Sequence, residues 1–186
     1  MKSLTVLSTV SRIAILALLL PASIMAAQNP DSATISKLLD GVRSHAAQAD
    51  IDAHTLATFT RSRLDWRTHN TQLTAIKDHA NELIRDGNQL STIRDEGSPW
   101  QQEAIDRITS LLPEMASHLT ATISHLRQNQ GRTRMKPYQD LALANETIIH
   151  NAHEIISDYV EYGEAKAKAD ALEKDLQLSV VSPKTS

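Results

Sequence analysis

The apolar positions between residues 98 and 129 carry the clearest pattern in the chain. Ile105, Ile108, Leu112, Met115, Leu119, Thr122 and Leu126 recur at alternating steps of three and four. That spacing is the seam of a helix packed nearly parallel to its neighbours. Its start is also marked. Ser98 stands at the N-cap, Pro99 at the first helical position and Gln101 three residues after the cap, which is the pattern of a capping box. Pro113 falls inside this helix, off the core side, where it removes a backbone donor and predicts a kink.

Three more helices follow from the same reasoning. The first is predicted from about Ser32 to Thr60, with Ile35, Leu39, Val42, Ala46, Ala49, Ala53 and Leu56 as its seam. Its alanine-rich middle lets a neighbour approach closely, and Gly41 is a weak point worth about 1 kcal/mol relative to Ala. The second has Asp65 as its N-cap, carries Trp66, His69, Leu73, Ile76, Ala80, Leu83, Gly87 and Leu90, and ends before Gly97. The last is predicted from Pro137 to about Leu176. Its stripe is Tyr138, Leu141, Ile148, Ala152, Ile155, Tyr159, Tyr162, Ala169, Leu172 and Leu176. The residues from Ser179 on should form a loose tail.

Three of these helices are matched in length, and the links between them are short. Such a pattern gives antiparallel neighbours, so the expectation is an all-α, up-down-up-down four-helix bundle spanning residues 28–178. The last helix is too long for its partners by about ten residues. Past Gly163 it keeps high helix propensity and an apolar stripe, Ala165, Ala169, Leu172 and Leu176. An uncovered stripe either frays or finds a partner. A weak homodimer through this segment is one expectation and a solvated end is the other.

The beginning of the chain reads differently. Lys2 and Arg12 precede an apolar run from Ile13 to Leu20, followed by Pro21 and a small-residue region ending at Ala26 and Ala27. This order is that of a cleaved secretory signal over residues 1–27. The run is shorter than the roughly 20 residues a spanning helix needs. The expected location is therefore the periplasm or the exterior, with no transmembrane segment after the signal.

Composition narrows the chemistry. The chain lacks Cys, which excludes disulfides, thiolate metal sites, a Cys nucleophile and covalent haem attachment. Without Lys2 and Arg12, 17 basic side chains stand against 22 acidic ones, a balance that argues against a nucleic-acid partner. No Gly-rich phosphate loop, Gly-x-Ser-x-Gly or His-Glu-x-x-His occurs, so no catalytic residue is assigned and the expectation is a non-enzymatic protein.

The segments Phe59-Thr60-Arg61-Ser62, Trp66-Arg67-Thr68-His69, Ser98-Pro99-Trp100-Gln101-Gln102 with Ala104-Ile105-Asp106-Arg107-Ile108, and Asp158-Tyr159-Val160-Glu161-Tyr162-Gly163 resemble a group of uncharacterised exported helical proteins from bacteria. The resemblance covers most of the chain after the signal. It implies export and a helical bundle, and it implies no activity.

Eight histidines are many for 186 residues. Glu146, His150, His153 and Ser157 lie opposite Ile148 on the last helix, a position that reads as a solvated face. A His pair three apart could also chelate a divalent ion weakly. His69 occupies a seam, while His45, His79, His118 and His125 flank seams. Folding the chain at its links sets His69 beside His125, and His79 beside His45 with His118 about a turn away. Two histidine layers follow. The plain reading is that they cap the core edge and bond across helices. The alternative is a bundle that holds haem, with His69, His125 or Met115 as axial candidates, or a divalent transition metal, with His45, His79, His118, His150 and His153 as candidates. A di-iron cage is excluded, since it needs inward carboxylates and Glu-x-x-His pairs that this chain lacks.

The aromatic residues collect at the ends. Phe59, Trp66 and Tyr138 fall at one end, and Trp100, Tyr159 and Tyr162 at the other. They read as plugs for the open ends of the core, or as a ligand box. The function expected from all of this is an exported helical bundle that acts by binding another protein or the cell envelope.

Overall fold

The computed structural model describes residues 29–181. The expected signal, residues 1–27, and the end of the tail, 182–186, lie outside the described residues. Four α-helices account for nearly all of the described chain: α1 (Ala33–Phe59), α2 (Trp66–Thr92), α3 (Pro99–Gln128) and α4 (Lys136–Val181). One-turn 3₁₀ helices at Arg94–Glu96 and Gln130–Arg132 fill the links before α3 and α4. Among the described residues no helix is long and apolar enough to cross a membrane.

The helix starts follow from their caps. The Ser32 hydroxyl accepts from the Ile35 N–H at 3.4 Å, and the Asp65 carboxylate accepts from the Arg67 N–H at 2.8 Å. Gln101 serves two helices. Its side-chain carbonyl accepts from the Ser98 N–H at 3.1 Å and from the Ser32 N–H at 2.8 Å. Its amide donates to the Ser32 carbonyl and the Ser36 hydroxyl. One fully buried amide thus satisfies orphan groups at the starts of both α1 and α3. Arg94 then clamps the 3₁₀ turn onto α3 through two 2.6 Å hydrogen bonds to the Asp106 carboxylate.

Cross-helix contacts fix the directions. Between α1 and α4 the ion pairs run His54–Glu146, Asp50–His150, Arg43–Glu164 and Asp31–Lys166. One series falls as the other rises, so these helices are antiparallel. Between α3 and α4 the contacts run His125–Tyr138, Thr122–Asn145, Glu103–Tyr159 and Trp100–Tyr162, again in opposite order. Neighbours in the ring are α1 with α2, α2 with α3, α3 with α4, and α4 with α1. The fold is a four-helix bundle.

The core is built of Leu, Ile and Ala with one buried Tyr. Every predicted seam residue of α1 and α3 is buried. The α2 seam is buried except for Trp66, which packs half-buried against the core. Helix α3 continues as a helix through Pro113 from Pro99 to Gln128.

In α4 the inward face differs from the predicted one. The buried residues are Tyr138, Ala142, Asn145, Ile149, Ala152, Ile156 and Val160. Leu141, Ile148, Ile155 and Tyr159 stand half-buried beside them, and Tyr162, Leu172 and Leu176 are exposed. The pairs Ile148-Ile149 and Ile155-Ile156 make both registers apolar. The inward register contains a polar position, Asn145, and is therefore hard to see in the pattern. Asn145 is tolerated there because its amide donates to the Thr122 hydroxyl and to the Leu141 carbonyl. Helix α4 also runs to Val181, past the predicted start of the loose tail at Ser179.

Candidate functional site

The first histidine layer forms where it was expected, with Tyr138 at its centre. Tyr138 rises from the first turn of α4, and its hydroxyl lies 3.3 Å from His69 Nδ1 on α2. The two rings meet edge to face with centroids 5.4 Å apart. His125 of α3 stacks on the other side of Tyr138 at 6.1 Å, and Phe59 of α1 packs edge-on to His69 at 5.9 Å. Each of the four helices contributes one ring. Burial holds His69 below its ordinary pKa and raises that of the Tyr138 phenol, so both are neutral at pH 7. The remaining ring nitrogen of His69, Nε2, is buried without a hydrogen-bond partner. Met115 is buried in the core of α3, ten residues before His125. At 1.5 Å per residue that is about 15 Å along the axis, too far to share one iron with the His69 layer.

The second layer joins α1 and α2. The His45 and His79 rings lie 6.1 Å apart, tilted by 34°. Each has its own carboxylate: Asp86 is 3.8 Å from His45, and Asp52 is 3.7 Å from His79. Asp86 is buried, and Arg85 reaches it from the next position at 3.1 Å. His118, expected about a turn away, makes its contacts elsewhere: its backbone carbonyl accepts from the Thr122 hydroxyl at 2.9 Å and from the Asn145 amide at 3.4 Å, between α3 and α4. Among the described residues no group of three or more His, Asp or Glu is arranged to hold a metal ion.

Glu146 and His150 were placed on a solvated face. His150 is exposed as that reading has it, while Glu146 is half-buried; both stand on the edge of α4 next to α1, because its inward face is rotated from the predicted stripe. Glu146 meets His54 at 2.7 Å, and His150 meets Asp50 at 3.2 Å. The hydrogen bond and charge of Asp50 raise the His150 pKa above its ordinary value. His153 turns away from His150 and pairs with the Ser157 hydroxyl at 3.4 Å.

A large open groove lies at the opposite end, between α3 and α4. Trp100, Glu103 and Arg107, one helical face of α3, stand across from Ile155, Asp158, Tyr159 and Tyr162 of α4. Together they line an open groove of about 590 Å³. Trp100 is its fixed element. Its indole N–H donates to the Asp31 carboxylate at 2.7 Å, and its ring meets Tyr162 edge to face at 5.6 Å. The indole also lies over Gly163, where a Cβ would fall 2.5 Å from its ring edge. Asp31 is held below its ordinary pKa: partial burial pushes the other way, and the side chains of Ser98, Lys166 and Trp100 outweigh it. Burial and the Glu103 carboxylate, 3.5 Å away, raise the pKa of the Tyr159 phenol. A smaller groove continues along the same two helices past Leu111, Glu114, Ile148 and Glu154. The floor is apolar and aromatic. The rim carries four carboxylates, of Glu103, Glu114, Glu154 and Asp158, against the single guanidinium of Arg107.

This surface corrects the plug reading at Tyr162 alone, since Trp66, Trp100 and Tyr159 pack half-buried against the core. Tyr138 does seal the core at its own end. Tyr162 is 54% exposed and forms a wall of the groove. Sequence reasoning also missed Asp31, Gln101 and Asn145, which hold the groove and the helices in place. The signal for Gln101 was present as the capping box, but its bridge to α1 is made only on folding.

The fold thus defines the protein as an all-α four-helix bundle with an apolar, acid-rimmed groove on its α3–α4 face. Comparison with protein families, with curated protein sequences and with solved structures finds no match to this chain.

Proposed function

We propose that this is an exported, non-enzymatic bundle that acts by holding another protein or a component of the cell envelope in the α3–α4 groove. The observation that carries this reading is the groove itself. Trp100, Tyr159 and Tyr162 offer large, stiff contact area at low entropic cost. The carboxylate rim favours a partner that presents a basic, amphipathic surface. The signal-like start of the chain supports an envelope setting, as does the resemblance to exported bacterial proteins. The histidine layers then serve the core, bonding and stacking across helices.

A photo-crosslinking residue at Glu103, exposed on the groove, should capture a specific partner in the intact envelope. The same residue at Asn88, exposed on α2, should capture none. If both positions give the same products, or only the protein itself, the groove is not a binding face.

A second reading rests on the free Nε2 of His69. A histidine held by one nitrogen and unpartnered at the other is oriented as haem ligands are. Haem titration without a Soret band, together with elemental analysis showing no stoichiometric Cu, Zn or Ni, would remove this reading.

A further inference from the structure

The apolar stripe that forms the α4 wall of the groove runs on past the bundle. Tyr162, Ala165, Ala169, Leu172 and Leu176 follow one another at steps of three, four, three and four. Leu172 is 56% exposed and Leu176 68%. The start of α1 is level with Lys166, which pairs with Asp31 at 3.1 Å, and the start of α3 is level with Tyr162. Helix α4 continues to Val181, so its last four turns or so project with no helix of the bundle beside them. A heptad seam left uncovered in this way is half of a coiled coil.

We propose that the projecting end of α4 pairs antiparallel with the same segment of a second copy of this chain. Side-chain size selects that direction. In a pairing centred between Asp170 and Ala171, Ala165 faces Leu176 of the second copy and Ala169 faces its Leu172. Each small residue then receives a large one, and the layers interdigitate. A parallel pairing sets Ala on Ala and Leu on Leu. It also brings Asp158, the next position on the same stripe, against its own copy. Charge is compatible with the antiparallel pairing, although direction is set by size, since a parallel pair would also bring Lys168 near Glu173 of the second copy. The flanks place Lys166 near Glu173 of the second copy and Lys168 near its Asp175, an opposite-sign pair on each side of the seam. The last turn of the second copy ends at the level of Tyr162, which closes one end of the groove and leaves Glu103, Arg107 and Ile155 open.

The overlap spans only about two and a half heptads, less than a standard interface of roughly 800 Å² per partner. The dimer is therefore weak, reversible and weakened by salt. This inference stands apart from the binding reading: a strictly monomeric chain would leave the groove and its partner untouched.

Sedimentation of the full chain over a wide concentration range tests association. A reversible monomer–dimer equilibrium is expected. Leu172→Glu should weaken it by at least about tenfold, since it puts a charge into an apolar layer. Leu172 is exposed, so the helical circular dichroism of the bundle should persist. The absence of cysteine allows a direct test of direction. Chains carrying Ala169→Cys and chains carrying Leu172→Cys, mixed and oxidised, should give mainly the mixed disulfide. A chain that stays monomeric, a dimer indifferent to Leu172→Glu, or a preference for like-with-like disulfides would each overturn the proposal.

Discussion

Three glycines lie inside helices of the bundle, and the same substitution should act on them with different signs. Intrinsic propensity alone favours Ala over Gly in a helix interior by about 1 kcal/mol. At Gly41 the added Cβ meets only the Asp86 carboxylate at 3.9 Å, an ordinary contact. Gly41→Ala should therefore gain the full increment of about 1 kcal/mol, raising the midpoint by roughly 2–4 °C for a chain of this length. At Gly87 the Cβ would fall 2.6 Å from Leu112 Cδ1. That atom is the end of a flexible side chain near the bundle edge, and it can rotate away, so gain and cost should nearly cancel. At Gly163 the Cβ would fall 2.5 Å from the Trp100 ring and 3.0 and 3.3 Å from its next atoms. The indole is rigid and tied to Asp31, so it must move as a unit. Overpacking of this kind costs about 1–3 kcal/mol, and straining the Asp31 hydrogen bond adds to it. Gly163→Ala should thus lose about 1–2 kcal/mol net despite the better helix former. Urea unfolding monitored by circular dichroism gives the three values, and Trp fluorescence reports the displaced indole in Gly163→Ala. If all three variants shift the same way by the same amount, propensity governs alone and the Trp100–Gly163 contact is not as described.

Leu119 is buried on the α3 seam, and Leu119→Ala should cost about 2–5 kcal/mol. Gln128→Ala, at an exposed position of the last turn, should cost under about 0.5 kcal/mol; equal midpoints for the two would refute the seam. The pKa of His69 is depressed by burial below its ordinary 6.5, so the unfolded chain binds the extra proton first. Stability should be fully present above pH 6.5 and fall as pH drops toward the folded value, by up to about 1.4 kcal/mol per pH unit. His150 contributes with the opposite sign, stabilising below 6.5 and fading above its raised pKa, but it is exposed and screened. In His69→Phe the acid-side slope should flatten; an unchanged slope would mean the ring protonates freely in the fold. Truncation after Ala167 keeps the Arg43–Glu164 and Asp31–Lys166 pairs and should leave the bundle as stable as the full chain. A large loss on thermal unfolding would place the projecting turns of α4 within the core.

What the sequence determined by itself was everything that depends on local rules. Helix number, the caps at Asp65 and Ser98, and the seams of α1 and α3 follow from propensity and from a period of 3.6, which each segment carries alone. That His69 and His125 share one layer, and that His45 meets His79, was also legible, because the short links fix which turns lie level; the Tyr138 ring between His69 and His125 was not. What only the tertiary structure decided was which of two apolar faces of α4 turns inward. Ile148-Ile149 and Ile155-Ile156 satisfy either register, and the choice falls to contacts made with other helices. Thr122 offers Asn145 a partner, Tyr138 inserts between His69 and His125, and Gly163 lets the edge of the Trp100 indole approach the helix. Once those contacts take one face for the core, the other, from Ile155 through Tyr162 to Leu176, is left outside, where it lines the groove and runs on along the projecting end of α4.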